Sequence, residues 1–281
     1  MTQQKTRRLH KTSTQAPSKY LWHSGKLVEW DKATVHASSL GWSAISAVFE
    51  GIRAYWSPRN EELYVFHLEA HLKRLAQSMK LMRMAQTFSI AEVRQAILDV
   101  LRANEYREDA YIQPLVYFKE RIPGYLGVLE RPIDVLITTR PAPSQLGAGK
   151  GVSACISSWV RLADNVMPPR AKAIANYQNS RYVSTEAEIN GYDFGIILNQ
   201  RGQVAEAAYA CVFLIRDGIA ITPPFSAGIL EKHHQAGPNN ASERRAWRPR
   251  SGARCGAYRA VYCGRGASVR DGCGDHACDL R

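Results

Sequence analysis

The segment Ala-Lys-Ala-Ile-Ala-Asn-Tyr (171–177) holds Lys172, the residue from which the rest of this 281-residue chain is best interpreted. Thirty-four residues after it, Glu206 ends the segment Asn-Gln-Arg-Gly-Gln-Val-Ala-Glu (199–206). Two further segments lie upstream, Phe-Glu-Gly-Ile-Arg-Ala-Tyr (49–55) and His-Leu-Lys-Arg-Leu (71–75). A single lysine or glutamate is most often a solvated surface charge. The information therefore lies in the order and spacing of the four segments.

Apolar periodicity predicts a domain of mixed strands and helices around the two upstream segments. Residues 62–68 alternate as a strand does, and the helix that follows carries apolar residues at three- and four-residue spacing: Leu72, Leu75, Met79 and Met82. A second helix opens at the capping box Ser-Ile-Ala-Glu (89–92), and its apolar face is Val93, Ile97, Val100 and Leu101. Two apolar strands follow, at 111–118 and 133–139. This pattern predicts an α+β domain.

The remaining chain divides at a segment rich in proline and glycine, which predicts a linker. After this linker come strand-like runs at 152–160, 194–199 and 212–223, the last interrupted by the turn signal Arg-Asp-Gly (216–218). The predicted organisation is a disordered basic tail (1–19), a small α+β domain (20–139), an interdomain linker (140–151), the first part of a larger domain (152–231) and a segment of different composition (232–281).

In their order along the chain, the four segments resemble the branched-chain amino acid aminotransferases, pyridoxal-phosphate (PLP) enzymes of class IV, fold type IV. The resemblance runs from about Tyr20 to Leu230. It implies a two-domain α+β fold with a small N-terminal α/β domain and a larger, β-rich, PLP-binding domain. It also implies a cytoplasmic homodimer that transfers an amino group from leucine, isoleucine or valine to 2-oxoglutarate through a lysine Schiff base.

The resemblance assigns the cofactor's needs to particular residues. PLP chemistry requires a lysine for the Schiff base and for proton transfer, an acid at the pyridine nitrogen, a donor to the phenolic oxygen and an anion cradle for the phosphate. These roles match Lys172, Glu206, Tyr177 and Arg74, in that order. The guanidinium fork suits a phosphate because it can meet two oxygens at once. Leu230 matches the apolar residue that packs against the cofactor ring.

The substrate side departs from the family pattern. Phe49 and Tyr111 match positions that line the side-chain pocket, although both would also suit a core. Gln113 stands where the family commonly has an arginine that recognises the side-chain carboxylate of glutamate. Ala-Ile-Ser (44–46) replaces Tyr-Gly-Thr, and Cys211 replaces a motif asparagine. Other class IV activities therefore stay open: an aromatic, D-amino acid or amine transaminase, or an aminodeoxychorismate lyase-like enzyme.

The last fifty residues differ from the rest of the chain. They hold ten basic and four acidic residues, which is half of the net charge of +12, and four of the six cysteines. If Lys-His-His-Gln (232–235) is encoded AAG-CAT-CAC-CAG, a displacement of one base reads Ser-Ile-Thr-Arg, a phosphate-binding segment of the family. In the same displaced frame, residues 270–278 can read Gly-Thr-Ala-Ala-Glu-Ile-Thr-Pro, the family's other phosphate loop. We infer a frameshift after Glu231.

This frameshift leaves residues 232–281 without a native fold and removes half of the phosphate cradle. The chain as written is then expected to fold poorly and to transaminate little, and a non-catalytic remnant is the alternative from a different class. A metal site at Cys273, His276 and Cys278, or nucleic-acid binding by the arginines, lacks the required spacing and context. No apolar run approaches the roughly 20 residues of a membrane span, and no signal-peptide core is present. We therefore expect neither a metal, nor nucleic acid, nor a membrane as partner.

Overall fold

The structure is a computed structural model that describes residues 18–36, 42–119, 131–144, 151–216 and 219–231, together with the backbone of three short strands further on. Nearly all of the predicted basic tail, half of the predicted linker, the turn at 217–218 and most of the segment 232–281 lie outside the described residues. The predicted domain boundaries stay predictions.

In the described part of the first 144 residues, one antiparallel sheet is flanked by helices. Its strands are β1 (Tyr20–His23), β2 (Lys26–Glu29), β3 (Val48–Phe49), β4 (Ile52–Ser57), β5 (Glu62–Val65), β6 (Ala110–Phe118) and β7 (Ile133–Pro141). The helices are α1 (Trp42–Ile45), α2 (Leu68–Leu81) and α3 (Ile90–Asn104). The strand order is β2-β1-β7-β6-β4-β5, with β3 paired to β6. The α+β prediction is confirmed.

The two longer helices form where the sequence predicts them, because their signals are local. Ser89 Oγ accepts from the backbone N–H of Glu92 at 3.1 Å, and the Glu92 carboxylate accepts from the Ser89 N–H at 2.6 Å, which closes the capping box at the start of α3. The apolar faces of both helices are buried against the sheet: Leu72, Leu75, Met79, Val93, Ile97, Val100 and Leu101.

One predicted boundary is wrong. The strand predicted over residues 62–68 ends at Val65, and Leu68 already begins α2. Between them the chain turns at His67, which adopts the left-handed conformation with φ of 50°. Alternation of apolar residues continues through this turn, so the pattern alone does not show where the strand ends. Met82, predicted on the helix face, lies just beyond its last residue.

In the described residues, the second part of the chain holds one longer helix and three small sheets. Its elements are β8 (Ala154–Val160), α4 (Ile174–Ile189), β9 (Phe194–Leu198), β10 (Val204–Ala207), β11 (Cys211–Arg216), β12 (Ile219–Ile221), β13 (Arg259–Cys263), β14 (Asp271–Gly274) and β15 (Ala277–Leu280). The sheet β10-β9-β8 pairs β8 with β9 in parallel. In the second of these sheets β11 lies between β12 and β13, and in the third β14 pairs with β15.

The backbone before α4 joins the two parts of the chain. The Phe49 N–H donates to the Lys172 carbonyl at 3.0 Å, and the Ile174 N–H donates to the Ala47 carbonyl at 2.8 Å. Ala171 and Ala173 are buried in the core cluster of the first sheet and its helices. Lys172 is thereby set against the first domain, although it belongs to the second part of the chain.

Candidate active site

Lys172 and Tyr177 meet at the start of α4. The Lys172 Nζ donates to the Tyr177 hydroxyl at 2.6 Å and lies 4.5 Å from the centre of the Phe49 ring. The Lys172 backbone N–H donates to Ser78 Oγ, a fully buried hydroxyl on α2, at 3.0 Å. Because Phe49 and Ser78 both hold the lysine's own backbone, the amine is directed by contacts from two elements of the first domain.

The charge state of Lys172 is set by its surroundings. Burial favours the neutral amine and would lower the pKa of Lys172, but the Tyr177 oxygen and the Glu50 carboxylate together outweigh burial and raise this pKa above its ordinary value. The amine is therefore a protonated donor to Tyr177 at neutral pH. It has to lose a proton before it can act as a nucleophile.

Arg74 lies on α2, where its side chain is buried and forms an ion pair with Glu50. Its Nε and Nη2 donate to the two carboxylate oxygens of Glu50 at 2.6 and 2.7 Å, and its Nη1 donates to the Glu231 carbonyl at 2.8 Å. His71, one turn earlier on the same helix, contacts Glu50 Oε2 through Nδ1 at 2.9 Å. Residues three and four apart share one side of a helix. His71, Arg74 and Ser78 therefore form a polar stripe beside the apolar face of α2.

The ion pair makes the stability of the fold depend on pH. Burial alone would raise the pKa of Glu50, but the hydrogen bonds from Arg74 and His71 lower it from 4.5 to about 2. A lowered pKa stabilises the folded state above pH 4.5, and this contribution is lost as the pH falls towards 2. The loss amounts to roughly 3 kcal/mol of the free energy of unfolding.

This acid sensitivity can be measured by urea unfolding between pH 6 and pH 2.5. The Glu50→Gln variant is expected to show a shallower fall of the free energy of unfolding with decreasing pH. Glu61→Gln is the matched control because Glu61 is exposed, and it should follow the parent curve. Parallel curves for Glu50→Gln and the parent would contradict the assignment of this acid sensitivity to Glu50.

Glu206 lies on β10 and is also buried beside an arginine. Arg161 Nη2 contacts Glu206 Oε1 at 2.9 Å, and both side chains are almost fully buried. The Leu230 N–H points to Glu206 Oε2 at 3.3 Å. Arg161 is itself held because its Nε donates at 2.9 Å to the carbonyl of Gly228, whose φ of 80° suits glycine. The carboxylate is thus fixed in direction.

The predicted cofactor residues lie around one place. Glu50 and Arg74 are close enough to Lys172 to shift its pKa. Arg74 contacts Glu231, the neighbour of Leu230, and Leu230 contacts Glu206. Continuous contacts therefore run from Arg74 to Glu206 along residues 230 and 231. An amine, a phenol, a carboxylate and a guanidinium are the four kinds of group that PLP requires, so the residues present fit this cofactor.

The predicted substrate residues lie on the sheet beside this place. Phe49 packs edge-on against Tyr177, with ring centres 4.8 Å apart. The Tyr111 hydroxyl packs so closely over Gly51 that a Cβ at residue 51 would collide with it. Gln113 lies two residues further along β6 and pairs with Thr138 on β7. Phe49 therefore touches the lysine site directly, and Tyr111 approaches it through the residues next to Phe49.

Four functional candidates do not follow from the motif spacing alone. Glu50 lies inside a quoted segment, but its partner Arg74 is 24 residues away. Arg161 and Ser78 belong to no quoted segment. Arg140, placed by composition at the start of the linker, lies in β7 one residue before its end and stacks its guanidinium 4.8 Å over the Tyr111 ring. A search for buried acids in need of a cation could have suggested Glu50.

Two classes of site have no counterpart in the described residues. Among these residues no group of three or more His, Cys, Asp or Glu side chains could hold a metal ion. No helix in the described ranges is long and apolar enough to cross a membrane.

Comparison with known proteins identifies similar chains. The model of the family described as amino-transferase class IV matches residues 47–231. A probable branched-chain-amino-acid aminotransferase of Aquifex aeolicus is 36% identical over 212 residues, which cover 75% of this chain and 68% of that protein. The branched-chain-amino-acid aminotransferase of Salmonella typhimurium is 38% identical over 214 residues, with the same two shares. The PLP form of the branched-chain amino acid aminotransferase from Thermobaculum terrenum is 46% identical, has a TM-score of 0.74, and is matched over 78% of this chain and 71% of its own.

Proposed function

This chain belongs to the class IV aminotransferases, a PLP-dependent family, and we propose that its reaction is transfer of an amino group from a branched-chain L-amino acid to 2-oxoglutarate. The observation that carries the proposal is the half-buried Lys172 amine, held at 2.6 Å from the Tyr177 hydroxyl within reach of the charges on Glu50 and Arg74. The family resemblance adds a cytoplasmic homodimer as the proposed form of an intact homologue.

In the proposed mechanism each residue has one task. When bound, PLP supplies an electrophilic aldehyde and a ring that accepts an electron pair. Lys172 would hold the cofactor covalently through Nζ and would carry the substrate Cα proton on the same atom. Glu206, fixed by Arg161, would hold the proton of the pyridine nitrogen. Tyr177 would donate to the phenolic oxygen, Arg74 would bind the phosphate, and Leu230 would pack against the ring.

Covalent labelling tests the role of Lys172. Incubation with saturating PLP followed by borohydride is expected to leave one phosphopyridoxyl group per chain, on the peptide that contains Lys172. Labelling should accelerate from pH 7 to pH 9, because the raised pKa keeps most of the amine protonated at neutral pH. Peptide mass spectrometry measures both the position and the yield.

The controls for this labelling are two lysine variants. Lys172→Ala should lose the label, whereas Lys80→Ala should keep it because Lys80 is an exposed residue of α2. Equal labelling of several surface lysines in the parent chain, unchanged in Lys172→Ala, would refute the proposed site.

A second question is which cation meets the distal carboxylate of 2-oxoglutarate. Gln113 is neutral, and we propose Arg140, which stacks on Tyr111 on the neighbouring strand. Paired residues of adjacent strands point to the same side of a sheet, so Arg140 lies on the side of Tyr111 and Gln113. Arg53 also faces this side but is within 3.9 Å of Asp109.

Substitution of Arg140 tests this choice in the frame-restored protein. Arg140→Gln is expected to raise the KM for 2-oxoglutarate about tenfold, since a charge-assisted contact is lost. The KM for 4-methyl-2-oxopentanoate, which has no distal carboxylate, should stay unchanged. Arg107→Gln is the control, because Arg107 is exposed in the loop before β6. An equal rise in KM for both 2-oxo acids would contradict the assignment of Arg140 to the distal carboxylate.

Another class IV activity is favoured by Gln113 and by Ala-Ile-Ser at 44–46. Supplying leucine, alanine and an (R)-amine in turn to the PLP-loaded, frame-restored protein separates the activities by which amine converts the bound cofactor. Conversion by leucine alone supports the branched-chain proposal.

A further inference from the structure

Glu50 is the most deeply buried acid beside the site and has no exposed surface. It lies between β3 and β4, where its backbone N–H donates to the Pro114 carbonyl of β6 at 2.9 Å. The residues on either side of it, Phe49 and Gly51, contact Lys172 and Tyr111. The carboxylate is therefore attached to backbone that the sheet already holds in place.

Different nitrogens of the Arg74 guanidinium bond to different partners. The Glu50 carboxylate accepts hydrogen bonds from Nε and Nη2 on one side of the guanidinium, and the Glu231 carbonyl accepts one from Nη1. These bonds engage three of the five N–H groups. One further N–H on Nη1 and one on Nη2 are not used in these three bonds, and Nη1 is the nitrogen that reaches residue 231, next to the Leu230 N–H that meets Glu206.

We propose that Glu50 is a positioning residue, which together with His71 holds Arg74 so that the two further N–H groups of its guanidinium bind the phosphate of the cofactor. The proposal rests on the proposed function, because it takes Arg74 as the phosphate ligand. A buried guanidinium without a partner would be costly and would turn towards water. The bidentate pair removes this cost and fixes the plane of the group.

An opposite role for Glu50 is physically reasonable and gives the proposal its test. A carboxylate so close to Arg74 could compete with the phosphate dianion for the cation. In that case, removing the charge of Glu50 would strengthen phosphate binding. The two roles therefore predict changes of opposite sign in the contribution of the phosphate to binding.

The experiment compares pyridoxine 5′-phosphate with pyridoxine, which differ only in the phosphate and carry no aldehyde to react with Lys172. Calorimetry on the full chain gives the Kd of each ligand, and the ratio used here is the Kd of pyridoxine divided by the Kd of pyridoxine 5′-phosphate. Glu50→Gln is expected to reduce this ratio at least about tenfold, with the Kd of pyridoxine unchanged. Arg74→Gln should reduce it equally, and the double variant should reduce it no further, as for two residues acting as one unit. Glu69 lies on the same helix as Arg74, and Glu69→Gln, which breaks an exposed pair with Arg94 of α3, should leave the ratio unchanged.

A ratio that stays the same or rises in Glu50→Gln would overturn the proposal, and so would a parent chain that binds both ligands equally. If Glu50→Gln does not fold, as judged by its thermal midpoint, His71→Ala replaces it, with an expected reduction of about threefold because one of four hydrogen bonds to the Glu50 carboxylate is lost. An unchanged ratio in His71→Ala would then count against the proposal. Failure of borohydride labelling at Lys172 would refute the proposed function while leaving this ratio interpretable.

Discussion

Deletion of one base from the codon of Lys232 is expected to convert a chain with no measurable transamination into an enzyme that turns over leucine and 2-oxoglutarate at roughly 1–10³ per second. In the frame that we infer, the deletion would restore Ser-Ile-Thr-Arg after Glu231 and the second phosphate loop near residue 270. Backbone N–H groups in such loops bind phosphate oxygens, and here they would join Arg74. Coupled spectrophotometric assays of both purified proteins measure the change.

Two observations support this expectation. The family match ends at residue 231, where the displaced frame would begin, and the matched region covers 68% of the Aquifex aeolicus relative. Arg74 meets the Glu231 carbonyl, so the restored segment would start beside the cation that we propose binds the phosphate. The frame-restored gene carrying Lys172→Ala is the control and should be inactive. Robust turnover by the chain as given, or none by the restored one, would contradict the frameshift.

In the restored enzyme, Glu206→Gln is expected to lower kcat by about 10²–10³-fold, because a neutral amide no longer stabilises the protonated pyridine nitrogen. The buried carboxylate already has its direction set by Arg161 and by the Leu230 N–H. Borohydride labelling at Lys172 should persist in this variant, since it requires only the aldehyde and the amine. Steady-state kinetics with leucine measure the loss.

Exposed Glu29, which pairs with Lys32, provides the matched control for this substitution. Glu29→Gln should keep the parent kcat. If Glu206→Gln kept its kcat while Arg161→Gln lost it, the carboxylate would be only a support for the arginine, and the assignment of Glu206 would be wrong.

How far the sequence predicts the molecule depends on the range of each signal. The capping box at Ser89 and the apolar faces of α2 and α3 are patterns within a few residues, and they are found as predicted. The end of β5 was missed because the left-handed turn at His67 arises from the meeting of strand and helix, not from a turn-forming residue. The motifs predicted the family because their spacing is specific to it.

The partners of the site residues could not be predicted in the same way. Arg161 and Glu206 lie 45 residues apart, on different elements, and each alone resembles an ordinary surface charge. Their pairing depends on how β10 and the segment after β8 fold together, which no local pattern records. The same reason hides the pairing of Glu50 with Arg74, although both of these residues lie in quoted segments.

The close packing of the Tyr111 hydroxyl over Gly51 limits the routes by which this enzyme could change its substrate. Any side chain at residue 51 would strike Tyr111 first, so selection cannot reshape this wall of the site one step at a time from residue 51. A smaller residue at 111 would have to arise earlier, and it would remove the ring on which Arg140 stacks. If Tyr111 and Arg140 contact the substrates as proposed, broadening the specificity here passes through an intermediate sequence that handles the proposed substrates less well.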